Sequence, residues 1–151
     1  MKKMLYIVAL FISGLFAGCV DEAANIEKSP LESNYEKWKS LEINDYSITQ
    51  QHTCFCIHGG IKAIVIVRGN KIVNIQNSEG GVEIRQELWQ YYKTVDQLFE
   101  TLNNAVLNKP HSLKVEYDSV FGFPNKFFVD PNQQMADEEY GYITNTFRSH
   151  K

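Results

Sequence analysis

The sequence predicts an α+β fold, a mainly antiparallel sheet with two helices on one face, in the order α-βββ-α-βββ. Two segments pair a helix-capping signal with apolar residues at helical spacing. Each is followed by runs that alternate in polarity or are rich in β-branched residues, and Gly, Asn and Pro break those runs at hairpin length. Helices gathered on one face of an antiparallel sheet are the layer arrangement such an order gives. The recurrence of α-βββ also raises a diverged internal repeat.

The first helix is expected at Ser29-Pro30-Leu31-Glu32, where the serine oxygen can accept a backbone N–H, the glutamate can return the bond, and proline suits the first helical position. Leu31, Tyr35, Trp38 and Leu41 give it one apolar face. Strand-like residues 45–57 follow, then "KAIVIVRGNKIVNIQ", in which Gly69-Asn70 makes a two-residue hairpin turn. Ala63 to Val67 are apolar on both faces and read as a central strand, covered by helices on one side or by something else on the other. Residues 77–93 offer a Gly-Gly loop and then a short helical stretch with Leu88, Trp89 and Tyr92. The second helix opens on the capping signal Thr94-Val95-Asp96-Gln97, carries Val95, Leu98, Phe99, Leu102 and Val106 on one stripe, and is closed by Pro110. "SLKVEYD" alternates cleanly, and "NKFFVD" and "YGYITNTF" supply two further strands.

The chain opens "MKKMLYIVALFISGLFAGC": two lysines, an apolar run from Met4 to Phe16, then small residues before Cys19. This is the form of a signal peptide over 1–18. The apolar run is shorter than the roughly 20 residues a bilayer core needs, and acidic Asp21 and Glu22 follow it in place of a basic stop-transfer cluster. Phe16-Ala17-Gly18-Cys19 resembles a bacterial lipobox, in which the cysteine is acylated and becomes the new N-terminus. That implies a lipidated N-terminus and polar tether over 19–29 and a single domain over 30–151. A secreted protein that simply loses its signal is the competing outcome. Val20, and not Asp, follows the cysteine, which by resemblance to Gram-negative lipoproteins points to the outer membrane, facing the periplasm.

Removing 18 of 151 residues leaves 133, enough for one full core. Losing Lys2 and Lys3 takes the formal charge from −3 to −5. A mildly acidic domain without a basic run argues against nucleic acid, whose phosphates need clustered Lys and Arg.

"HTCFCIH", residues 52–58, is the segment richest in chemistry. On a strand His52, Cys54, Cys56 and His58 share one face with the apolar Tyr46 and Ile48, while the apolar Phe55 and Ile57 point to the other, so a bulge or break between Ser47 and Cys54 is expected to turn one set over. As a Cys2His2 metal set the four span about 20 Å of straight strand, too long for one ion. A disulfide suits an exported chain, although residues i and i+2 of a strand lie about 6.6 Å apart, near the upper end of what a bridge tolerates. The expectation is a local, structural Cys54–Cys56 bridge. Thiol-redox or metal-binding use of the pair is the alternative.

Other candidates are weaker. Asp130-Pro131-Asn132 begins like a calcium loop, but Met135 stands where the turn glycine belongs and Gly141 where the closing glutamate belongs. Trp89 and Tyr92 are candidates for a lid or groove wall. Asp118, Asp130, Asp137, Glu138 and Glu139 are expected to gather at one sheet end, as a rim that could meet a cation or basic peptide. No Ser-His-Asp, P-loop, GxGxxG or HExxH pattern occurs in the sequence.

Trp38 with Asp45-Tyr46-Ser47, Cys54-Phe55-Cys56, Gly69-Asn70-Lys71-Ile72, Thr94 to Phe99, Val115-Glu116-Tyr117-Asp118 with Gly122 and Pro124, and Asp137-Glu138-Glu139 form an ensemble from about Tyr35 to Phe147. It resembles a family of small bacterial exported proteins, often lipoproteins, classified only as a domain of unknown function. The resemblance implies no activity, cofactor or catalytic residue. The function expected is therefore a non-enzymatic, lipid-anchored envelope protein that binds a protein or small ligand through its sheet face or the residue 77–93 segment, with no cofactor.

Overall fold

The computed structural model describes residues 28–150. The expected signal peptide over 1–18, Cys19 and nearly all of the expected tether over 19–29 lie outside these residues. The elements run α1 (Pro30–Ser40), β1 (Tyr46–Cys54), β2 (Lys62–Arg68), β3 (Lys71–Asn77), a 3-10 turn (Gln86–Tyr91), α2 (Val95–Leu107), β4 (Ser112–Tyr117), β5 (Pro124–Asp130) and β6 (Tyr140–Ser149). The strands form one antiparallel sheet in the order β3-β2-β1-β6-β5-β4. The α+β class and the order α-βββ-α-βββ are those the sequence predicts. No helix of the described residues is long and apolar enough to cross a membrane.

Both helices begin where the sequence places their caps. Ser29 Oγ accepts from the Glu32 N–H at 3.2 Å with Pro30 behind it. At α2 the capping box is complete, the Thr94 hydroxyl accepting from the Gln97 N–H and the Gln97 side chain accepting from the Thr94 N–H. Val95, Leu98, Phe99 and Leu102 are buried as expected. The stripe then continues through Ala105, while Val106 is 47% exposed, because the period of 3.6 carries the buried line from 102 to 105.

One face of the sheet carries the core. Tyr46, Ile48 and Gln50 of β1 stand beside Val67, Val65 and Ala63 of β2, and Phe127 of β5 beside Tyr142 of β6. These residues and the two helices form two adjoining apolar clusters, one around Trp38, Tyr46 and Phe99, the other around Leu98, Leu102 and Phe127. Each fully buried aliphatic side chain here contributes about 1.5–3 kcal/mol. Helices cover only this face of Ala63 to Val67; Ile64 and Ile66 point to the other and are half-buried. The turn between β2 and β3 has Gly69 at φ 53° and Asn70 at φ 59°, the paired positive values that a two-residue hairpin requires.

The expected reversal of parity within β1 does not occur. Tyr46, Ile48, Gln50, His52 and Cys54 stay on one face, and the irregularity lies in the partner strand. Ser47 pairs with Arg148 but Thr49 with Asn145, so β6 carries the extra residue, and its Thr146 has φ 50°. The reason is that the strand ends at Cys54: Phe55 and Ile57, whose opposite parity called for the reversal, lie beyond it and stand exposed. Gln50 keeps the buried series unbroken. A polar residue continues the buried series because its amide is satisfied there, with Nε2 donating to the Lys93 carbonyl at 3.1 Å and Oε1 accepting from the Lys93 N–H at 2.8 Å.

Candidate functional site: the Cys54–Cys56 tip

After Cys54 the chain leaves the sheet and turns back into β2 through Gly59 and Gly60. The Gly60 N–H donates to the His52 carbonyl at 2.8 Å, the Gly59 N–H to the Cys56 carbonyl at 2.9 Å, and Gln51 Nε2 to the Gly60 carbonyl at 2.9 Å. A Cβ on Gly59 would lie 2.5 Å from the Cys54 carbonyl oxygen, so the turn is wound too tightly for any side chain there. Because the strand has ended, Cys54 and Cys56 come to a Cα separation of 5.3 Å and are joined by a disulfide, without a bulge in β1.

The two sulfurs have different surroundings. Cys56 is exposed, flanked by Phe55 at 80% and Ile57 at 94% exposure. Cys54 is half-buried, with its Sγ 3.4 Å from His52 Nδ1, within hydrogen-bonding reach. The His52 ring stacks on Tyr142 at 4.7 Å between centroids and has Tyr91 at 6.2 Å, while His58 lies 4.9 Å from Tyr91. The Tyr142 hydroxyl donates to the Tyr91 carbonyl at 3.1 Å, tying β6 to the 3-10 turn beneath the imidazole. Desolvation, and secondarily the Lys93 ammonium, holds the His52 pKa below its ordinary 6.5, so the ring is neutral at neutral pH.

The straight-strand objection to a metal set is partly removed by this turn. Donor atoms of His52, Cys54 and Cys56 lie within 4.8 Å of one another, whereas His58 falls outside the group. With the sulfurs bonded to each other the pair offers no thiolate, which is the ligand form. As a staple the bridge is short: it joins residues two apart, and the chain-entropy argument assigns such a loop roughly 1.6 kcal/mol.

The acidic candidates are not all brought together. Asp118 caps the turn after β4, its Oδ1 accepting from Val120 and Phe121 N–H at 2.9 and 2.7 Å. Asp130 ends β5, and Asp137, Glu138 and Glu139 follow it. Consecutive turns of an antiparallel meander lie at opposite sheet ends, so the expected single acidic rim is split across the length of β5, about 20 Å. Asp137 to Glu139 lead into Tyr140, which pairs with Cys54, and so share the tip's end of the sheet. Trp89 and Tyr92 pack against the core and also stand together in the wall of an open groove of about 290 Å³. Trp89 Nε1 donates to the Ile84 carbonyl at 2.9 Å, and Tyr92 is 6% exposed. Tyr91, Tyr142 and Lys93 complete the His52 environment and were not singled out by the sequence, since nothing local marks them.

A groove of about 540 Å³ between α1 and α2 shares no residue with the tip and is lined by Leu31, Tyr35, Asp96 and Phe99 among others. Of its three carboxylates, Glu32, Asp96 and Glu100, Asp96 is engaged: it accepts from Trp38 Nε1 at 2.8 Å, Asn70 Nδ2 at 2.5 Å and Lys39 Nζ at 3.2 Å, joining α2 to α1 and to the β2–β3 turn.

A family model described as a family of unknown function, DUF6174, matches residues 30–149. The chain belongs to this family. The matched segment runs from the first residue of α1 to the last of β6, so the DUF6174 unit is the whole α+β domain, tip included. No curated protein and no solved structure matches the chain.

Proposed function

We propose that this DUF6174 chain is an exported, non-enzymatic lipoprotein of the bacterial outer membrane. In this reading it is acylated at Cys19, faces the periplasm, and carries a binding domain that meets a partner protein at the Cys54–Cys56 tip. The observation that carries the binding reading is the pair of large apolar side chains, Phe55 and Ile57, standing 80% and 94% exposed on a tip stiffened by hydrogen bonds. Apolar groups held rigidly in water favour a complementary apolar surface, and a preformed tip loses little entropy on binding. The signal peptide, the small residues before Cys19 and the short polar tether support the membrane assignment. The acidic charge supports a partner other than nucleic acid.

Two measurements test it. Grown with an alkyne-tagged fatty acid, cells are expected to label the full chain and lose the label with Cys19→Ser; label retained in that variant rejects the anchor. A photo-crosslinking side chain at position 57 is expected to give a discrete adduct that the same group at Val106, exposed on α2, does not give. Identical patterns from the two positions reject the tip as the binding surface.

A further inference from the structure

We propose that Cys54–Cys56 is an exchange-competent disulfide that passes its bond to a dithiol of the docked partner, with Cys56 the sulfur attacked and Cys54 the sulfur that leaves. The docking of that partner rests on the tip reading above; the sulfur chemistry does not.

Three observations carry it. The first is the asymmetry of access. Exchange begins when an incoming thiolate approaches one sulfur along the bond, and only Cys56 stands exposed, between the two side chains that would seat a partner. The second is His52, whose Nδ1 is 3.4 Å from Cys54 Sγ and in its N–H tautomer can donate to the thiolate that departs. The third is that the tip does not need the bridge. Gly60 N–H to His52 carbonyl, Gly59 N–H to Cys56 carbonyl and Gln51 Nε2 to Gly60 carbonyl hold its shape, and the bridge ties no two elements together. A reduced form that keeps its structure is stabilised relative to one that unravels. An accessible disulfide with a stabilised reduced form is an oxidant towards other thiols.

The step balances as written. A partner thiolate attacks Cys56 Sγ, the S–S bond breaks, and its electron pair goes to Cys54 Sγ, which accepts the His52 N–H and then a proton from water. The partner's second thiolate attacks its own sulfur in the mixed disulfide and releases Cys56 as a thiolate, which takes a proton from water, the partner's two thiols having given theirs to water on ionising. The partner dithiol loses two electrons and two protons; Cys54 and Cys56 gain them.

The test uses the full chain purified in detergent and equilibrated without denaturant in glutathione buffers, then acid-quenched, alkylated and mapped by peptide mass. The folded protein is expected to interconvert fully between bridge and dithiol. Cys54→Ser should take up glutathione on Cys56 at least tenfold faster than Cys56→Ser takes it up on Cys54. His52→Ala should shift the equilibrium up to about tenfold towards the bridge by removing the hydrogen bond to the reduced Cys54 sulfur, and His52→Asn, which keeps a donor, should shift it less. A bridge that stays closed in the folded protein, equal uptake at the two sulfurs, or a reduced form that holds a metal ion and resists alkylation overturns the proposal. For the docked partner, the readout is the rate with a reduced, unfolded protein divided by the rate with glutathione. A tenfold fall in that ratio for Phe55→Ser with Ile57→Ser supports docking at the tip, whereas an unchanged ratio rejects the docking and leaves the exchange chemistry standing.

Discussion

Gln50 shows how a single polar residue organises this domain. Buried beside Tyr46 and Ile48, it holds both backbone groups of Lys93, and Tyr46 takes the Val95 N–H on its hydroxyl at 2.8 Å, so β1 fixes the start of α2 from below. Burial pushes the Tyr46 pKa upward, and its phenol stays neutral. Gln50→Leu keeps the volume but strands both Lys93 groups. It is expected to cost about 1–3 kcal/mol in urea unfolding, with an unchanged m-value. His52 gives a pH signature. Its folded pKa lies below the ordinary 6.5, so the folded state resists protonation. Stability is therefore full above about pH 6.5 and declines as pH falls through that value towards the lower folded pKa. The charged and titratable neighbours are Lys93 and the phenols Tyr91 and Tyr142. In His52→Gln the decline between pH 7 and 5 should be shallower, measured as Tm against pH.

At the scale of elements, what was legible in the sequence is what is written locally. The two caps and the Gly69-Asn70 turn depend on residues within four positions of each other, and each formed where expected. The parity of β1 was misread because Phe55 and Ile57 look like the buried positions of a strand, whereas the strand ends at Cys54 and both stand exposed; that Gln50 takes a buried place depends on Lys93, 43 positions away. The acidic residues were misgrouped because which end of a sheet a loop occupies depends on counting strands. The cysteine pair was legible as a bridge, but its imidazole setting was not, since Tyr142 and Tyr91 arrive from β6 and the 3-10 turn. The bridge also predicts its own modest weight. Cys54→Ser combined with Cys56→Ser should lower Tm by no more than about 6 °C, as a loss of roughly 1.6 kcal/mol implies for a domain of this size. A loss near 20 °C would mean the tip holds far more of the fold together than its hydrogen bonds indicate.

At the scale of the molecule, the two α-βββ halves share an element order but not an arrangement. The first meander starts at the sheet centre with β1 and ends at the edge with β3; the second starts at the edge with β4 and ends at the centre with β6. Sliding one half along the sheet onto the other preserves that order but needs β1 and β4 to run in the same direction, and they run oppositely. A two-fold axis through the β1–β6 pair restores the directions but exchanges β1 with β6. With both helices on one face, neither operation superposes the halves.

The seam between β1 and β6 has a consequence for how the chain comes into being. Ser47 and His150 touch across 103 residues, and β1 borders β6 along nearly its whole length. A ribosome or an export pore delivers β1 early and β6 last. Until residues 140–149 emerge, β1 keeps a vacant edge beside β2, and β5 keeps one beside β4, two templates open to any passing strand. Residues 140–149 are the closing stitch of the sheet, and without them the strands are left as two unjoined ribbons.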